Sequence, residues 1–316
     1  MYADGRHEKG DHDKEHDHHP TVMIGVDAVI GFRSAGTSSD QVDAPVAANK
    51  TNTSLLFGVK WHPSKNFVIG ARIPLVFASF GAGVDDTSAV TAGNLQIAPA
   101  YVTHLDKHTH LGFEFGVALP TAGGDEFACP TQTTYSQVGA FPNTQCVSGF
   151  SGAQRKAGAL RGANLSRAME ENALFARHRI GFSPKISFAT DRNDVEVGLS
   201  TKLDLLQHVG GVFVPDAYDK NATETDWVTT LHGFYHVVPK TFDAGLRLWV
   251  NGILEQDIHT QQNPTDKLRA QVAIEPALRV QAGPARFGAG FILPIGGEAG
   301  HDYGYKAVRL MAGGAF

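Results

Sequence analysis

From Thr21 onward the chain alternates apolar and polar or small residues with a period of two. The first run sets Val22, Ile24, Val26, Ala28, Ile30 and Phe32 on one face and Met23, Gly25, Asp27, Val29, Gly31 and Arg33 on the other. Alternation over this length is the signature of a strand with two unlike faces. Leu55, Phe57, Val59 and Trp61 then oppose Ser54, Gly58 and Lys60. Leu111, Phe113, Phe115 and Val117 oppose Gly112, Glu114 and Gly116, and Val308, Leu310 and Ala312 oppose Ala307, Arg309 and Met311. Read to Phe316, the chain holds twelve such segments.

The connections decide the kind of β protein. One set is tiny, at 63–66, 106–109, 191–194, 239–241 and 282–285. The other set interleaves with it and is mostly longer, at about 34–50, 80–92, 121–174, 208–224, 256–268 and 296–302. Short turns at one end and long loops at the other describe an all-β fold, a transmembrane antiparallel β-barrel of twelve strands with periplasmic turns and extracellular loops. A soluble sandwich would also give an apolar stripe per strand. Strand length of about ten residues, the terminal Phe316, and aromatics near strand ends (Trp61, Phe67, Tyr101, Trp227) tip the reading to the barrel. Residues 21–316 are expected to form that single barrel, with residues 1–20 a His/Asp-rich disordered periplasmic tail.

Composition changes the picture only in places. A length of 316 residues admits two soluble domains or one large barrel. Charged residues are 19%, and glycine is high at 35 residues. A net charge of −5 argues against a nucleic-acid partner, which needs a basic footprint. No apolar stretch approaches the length of a transmembrane helix. The mean hydropathy of −0.16 looks soluble, but alternating strands hide their apolar half in an average. The N-terminus lacks a charged segment followed by an apolar core, so the chain reads as a mature form with its signal peptide removed. Cys129 and Cys146, in a polar Gly/Pro/Thr-rich loop, point to a disulfide made in an oxidising compartment, or else to two surface thiols.

The charged side chains fall on the glycine-rich face, the lumen side of a barrel. Lys60, Arg72, Arg179, Lys185, Lys202, Arg247, Arg279, Arg286 and Arg309 are placed there, with Asp27, Glu114, Glu196, Asp204, Asp226 and Glu275. Bases outnumber acids in this set, so the lumen is expected to be mildly positive and to favour anionic or electron-rich solutes. Alternatively these charges pair across the lumen and brace a filled barrel. The loop at 121–174 is longer than any turn needs, and its part from Lys156 to Arg177 is rich in Ala, Leu, Arg and Glu without proline, which predicts a short helix. It is read as folding over or into the barrel as a constriction, with a surface cap as the rival. Prolines recurring at matching depth, among them Pro99, Pro184 and Pro276, predict gaps in the strand pairing or bends in the wall.

His7, His12, His16, His18 and His19 stand among acids in the first twenty residues. Imidazole and carboxylate together suit zinc, nickel or copper, although a solvated tail gives the same composition. Enzyme readings find no footing: no outward Ser/His pair occurs except near His178, and phosphate loops and dinucleotide fingerprints are absent. The leading expectation is a passive channel for small organic solutes in a lipid bilayer. The alternative is a metal-linked outer-membrane protein whose His-rich tail binds or passes divalent cations.

The closing strand ending in Phe316 resembles the C-terminal recognition signal of bacterial outer-membrane proteins, with Gly314 where a bulky residue is common. That likeness implies the barrel-assembly machinery as a partner. The runs Gly93-Asn94-Leu95-Gln96-Ile97-Ala98-Pro99-Ala100-Tyr101 and Gly116-Val117-Ala118-Leu119-Pro120-Thr121-Ala122-Gly123-Gly124 resemble the outer-membrane transporter family linked to phenol meta-cleavage pathways. That likeness implies the movement of hydrophobic or aromatic compounds.

Overall fold

The structure, a computed structural model, describes residues 21–33, 49–80, 88–123, 152–192, 194–209, 223–255, 270–297, 299–300 and 304–316. Its strands are β1 (Thr21–Arg33), β2 (Asn49–His62), β3 (Phe67–Phe80), β4 (Ser88–Ala92), β5 (Leu95–His104), β6 (Thr109–Leu119) and β7 (Arg179–Arg192). They continue as β8 (Val195–His208), β9 (Thr223–Val238), β10 (Phe242–Glu255), β11 (Gln271–Ala282), β12 (Ala285–Pro294) and β13 (Tyr305–Ala315). Two helices, α1 (Gly152–Ser166) and α2 (Asn172–Phe175), lie between β6 and β7.

Successive strands pair antiparallel, except that β3 pairs with both β4 and β5, and β1 pairs with β13, so the sheet closes on itself. β4 and β5 are successive halves of one wall strand: β4 pairs with the far half of β3 and β5 with its near half. The wall therefore counts twelve strands. Closure satisfies the backbone of both terminal strands, which a hydrocarbon surround demands. At the seam Val22 N donates to Phe316 O at 3.0 Å and Phe316 N to Val22 O at 2.8 Å. The expected loop at 80–92 is thus partly wall, because Ser88–Ala92 continues the ladder before the chain breaks at Gly93 and Asn94.

The prolines leave gaps without changing register. Pairing lapses beside Pro99, Pro184 and Pro276 and resumes in the same alignment, as from Ile97↔Val117 to Ala100↔Glu114 and from Ile274↔Leu293 to Ala277↔Gly290. A proline has no N–H to give the ladder, and the strand carries on past it.

The outward stripe is exposed, Phe57 at 44% and Leu310 at 46%, with Ile97, Phe115, Leu199 and Leu231 in the same belt. In water such a continuous apolar surface would be an aggregation hazard; around a closed barrel it is the lipid-facing band. The inward face departs from pure polarity in one half. Leu56, Val76, Ala78 and Phe80 form an apolar cluster with Ala159, Leu160, Ala163, Leu174 and Phe175. Val29 joins a second cluster with Ala168 and Trp249. These clusters exist because the two helices sit inside the barrel and cover that half of the wall.

Candidate functional site

Residues 152–176, before β7, lie inside the barrel and are held there by charge. Gly31 makes room for them: a Cβ on Gly31 would lie 1.9 Å from Ser166 Oγ, so only hydrogen lets the end of α1 approach β1 this closely. Just beyond, Arg167 is fully buried. Its Nε donates to Ser54 Oγ at 2.9 Å, Nη1 to Asp27 Oδ2 at 2.8 Å and Nη2 to the Asp27 carbonyl at 2.9 Å. The backbone there turns through left-handed Ala168 and Met169, φ 48° and 57°. The Ala168 carbonyl exposed by that turn accepts from Trp249 Nε1 at 3.1 Å and Asn251 Nδ2 at 2.7 Å.

Next come two adjacent glutamates that bind opposite walls. Glu170 accepts from Arg247 and, at 2.8 Å, from Arg309 Nη2. Glu171 accepts from Arg72 Nη1 at 2.8 Å and lies 3.6 Å from Lys202 Nζ. Lys202 also donates to the Glu170 carbonyl at 2.9 Å. Asn172 Nδ2 then donates to Asp226 Oδ2 at 2.8 Å and its own Oδ1 accepts from Asn164 Nδ2 at 2.9 Å. Asn94, at the break between β4 and β5, donates to the carbonyls of Ala173 at 2.9 Å and Ala176 at 2.6 Å. Charge-assisted bonds from several strands thus fix one short stretch of chain, and each paired charge offsets the cost of leaving water.

Most of the remaining charged residues stand in pairs. Glu275, fully buried, accepts from Arg247 at 2.6 Å and Arg309 at 2.9 Å. Arg309 Nε also lies 3.3 Å from Asp27 Oδ1. Asp204 accepts from Ser183 Oγ at 2.6 Å and lies 3.0 Å from Lys202 Nζ. Arg179 pairs with Glu224. Arg279 forms two bonds of 3.1 Å with Glu196, which His232 Nε2 approaches at 3.2 Å. Glu114 stands opposite Lys185 across β6 and β7, and Lys60 and Arg286 lie on the interior face of β2 and β12. Arg72 further donates from Nε to Gln96 Oε1 at 3.1 Å.

Further charges share the interior. Asp191, Glu224 and Asp243 lie on the strands' interior face, and the inserted segment brings Glu170 and Glu171 together with Arg155, Lys156, Arg161 and Arg167. Sequence reasoning did not place the five acids. Asp191 and Asp243 stand at strand ends beside turns, where a carboxylate reads as solvated, yet His236 bridges them at 3.1 and 2.7 Å. Glu170 and Glu171 gave a weaker signal: paired acids in a helix-prone stretch of a loop far too long for a turn.

Cys129, Cys146, His7, His12, His16, His18 and His19 lie outside the described residues. Among the described residues no group of three or more His, Cys, Asp or Glu side chains is arranged to hold a metal ion.

No protein-family model and no curated protein matches the chain. Solved structures do. An outer-membrane channel from Pseudomonas putida F1 superposes with a TM-score of 0.56 at 10% identity, covering 93% of this chain and 95% of that one. The NanC porin gives 0.48 at 8% identity, covering 92% and 98%, and the KdgM porin 0.43 at 7%, covering 92% and 99%. Across nearly its whole length the chain shares the fold of the Pseudomonas putida F1 channel, a closed antiparallel barrel with an apolar exterior.

Proposed function

We propose that this protein is a non-enzymatic outer-membrane channel for the passive passage of small organic solutes, narrowed by the segment between β6 and β7. The reading has residues 21–316 as one barrel spanning the bilayer, short turns and N-terminus in the periplasm, and the closing strand presented to the assembly machinery. The observation that carries it is the seating of Arg167, Glu170 and Glu171 on Asp27, Arg247, Arg309 and Arg72. A structural filler could be held by apolar packing alone. Here buried charges hold a polar turn across the lumen, an arrangement suited to filtering what moves past it.

Single-channel recording and liposome swelling test the proposal. The full chain is expected to pass small ions and small acids slowly, and a chain lacking residues 152–176 to pass them freely. A barrel that stays closed to both with those residues removed refutes it.

A further inference from the structure

The outward wall is uneven on the side of β10 to β13. Ala244, Leu278 and Ala289 are partners on one rung across β10, β11 and β12, so two methyl groups flank a single larger side chain. Beside that rung the ladder between β11 and β12 lapses at Pro276, between Ile274↔Leu293 and Ala277↔Gly290. The small residues and the proline leave a notch of about 560 Å³ that opens outward, lined by Ala244, Pro276, Leu278, Ala289, Phe291 and Val308. Each of these side chains is apolar, so the notch suits a hydrocarbon chain.

A cation stands at one end of it. Lys306 is exposed and has the outward parity of Val308 and Leu310, with Val308 ~7 Å away along β13. Phe316, 80% exposed, has the same parity at the far end of the strand. The ten residues from Lys306 to Phe316 rise ~33 Å along the strand. At a tilt of ~40° that is ~25 Å along the barrel axis, the height of the apolar band of a membrane barrel. Lys306 therefore lies at the edge of the band on the long-loop side, where headgroups begin. Thr51 and Trp61 repeat the same spacing on β2.

The rungs that continue from Lys306 in the other direction are polar. Lys306 faces Phe32 on β1, Phe32 faces Thr51 on β2, Thr51 faces Ser79 on β3 and Ser79 faces Ser88 on β4. All five are exposed. The Thr51 and Ser79 hydroxyls stand 2.7 Å apart, and since one donates to the other, the pair keeps one O–H and several lone pairs for an outside partner. At ~4.8 Å between strands the row runs ~19 Å, longer than a compact headgroup and suited to linked sugars.

We infer that this outward face binds a phosphorylated glycolipid of the outer leaflet, with an acyl chain in the notch, a phosphate on Lys306 and sugar hydroxyls along Thr51, Ser79 and Ser88. A lysine at the edge of the band reaches a phosphate while its stem stays on apolar surface. The inference rests on the bilayer-spanning reading with the long loops outward, and adds a lipid partner to it.

Native mass spectrometry of the full chain in detergent tests it. The probe is lipid A, an acylated glucosamine disaccharide carrying phosphate; dephosphorylated lipid A and phosphatidylethanolamine are the comparisons. Heat-modifiable gel mobility confirms that each variant is folded. Wild type is expected to retain lipid A in several-fold excess over either comparison. Lys306→Gln and Ala289→Trp, which fills the notch, are each expected to lower that retention several-fold, whereas Lys65→Gln in the turn after β2 leaves it unchanged. Equal retention by wild type and Lys306→Gln, no preference for the phosphorylated form, or a lipid-free dimer that Ala289→Trp splits overturns the inference. Phosphatidylethanolamine bound best overturns it too, by placing this rim at the inner leaflet. Single-channel current from the same preparations reads the channel separately. Lipid selectivity lost with current intact overturns this inference alone, whereas lipid A retained by a chain that never conducts, even without residues 152–176, overturns the channel reading alone.

Discussion

Glu170→Gln removes the charge at the centre of the seat while keeping its shape. In the wild type, Glu170 shares Arg247 and Arg309 with Glu275, and Asp27 also lies beside Arg309, so three carboxylates stand against these two guanidinium groups. After substitution Glu275 faces both cations with Asp27 still beside Arg309, and the glutamine can bond one of them through its carbonyl. Breaking one side of a buried pair costs about 3–5 kcal/mol, and the surviving hydrogen bond argues for the lower end. About 3 kcal/mol corresponds to a shift of ~100-fold in the balance between seated and released segment, at ~1.4 kcal/mol per tenfold. Single-channel recording reads this as a rise in open occupancy. Emission from Trp249, whose indole donates to Ala168 at the seat, reads it independently in a Trp61→Phe, Trp227→Phe background. A Glu170→Gln protein with wild-type occupancy and unmoved Trp249 emission would show that the ion pairs do not hold the segment, and the reasoning would fail.

Other substitutions probe the same physics from different sides. Gly31→Val drives a side chain into Ser166, 1.9 Å from the position of its Cβ, so α1 must lift away; conductance should rise with little loss in barrel melting temperature. Arg167→Met leaves Asp27 to Arg309 alone, takes the Nε donor from Ser54, and should lower unfolding free energy in urea by about 3 kcal/mol. On the lipid face, Phe57→Arg should cost about 2–4 kcal/mol in vesicle-folding titrations if it lies near mid-bilayer, whereas Lys60→Gln should cost far less. In the turn after β5, the His108 backbone N–H, 2.7 Å from Asp106 Oδ1, holds that carboxyl below its usual 3.8, aided by the Thr109 hydroxyl and Arg192. The folded value is depressed, so this contribution is present above pH ~4 and lost as pH falls through the lower folded value; Asp106→Asn should abolish that acid-side loss of His108 amide exchange protection.

Most of the wall was legible because a membrane barrel writes its faces into every second residue. Asp27, Arg72, Arg247 and Glu275 stand at opposite parity to Ile24, Ile73, Leu246 and Leu278, all four of which are exposed. What parity cannot reveal is what meets them. Leu56, Val76 and Phe80 break the polar pattern of the interior, and each does so where α1 or α2 packs, yet from sequence alone they read as noise. Likewise β4 was hidden inside an apparent loop, since five residues ending at Gly93 and Asn94 are too short to show a period. Glu170 and Glu171 escaped for a similar reason: they belong to no strand, and only tertiary contact brings them to Arg309 and Arg72.

The seam between β1 and β13 has a further consequence for how the molecule is built. Asp27 comes from one terminal strand and Arg309 from the other, and Arg167 and Glu170, drawn from the middle of the chain, clasp them from within. Closing the two ends of the polypeptide and seating its midpoint therefore draw on the same buried bonds. Prying the finished cylinder apart along that line would break several of them at once.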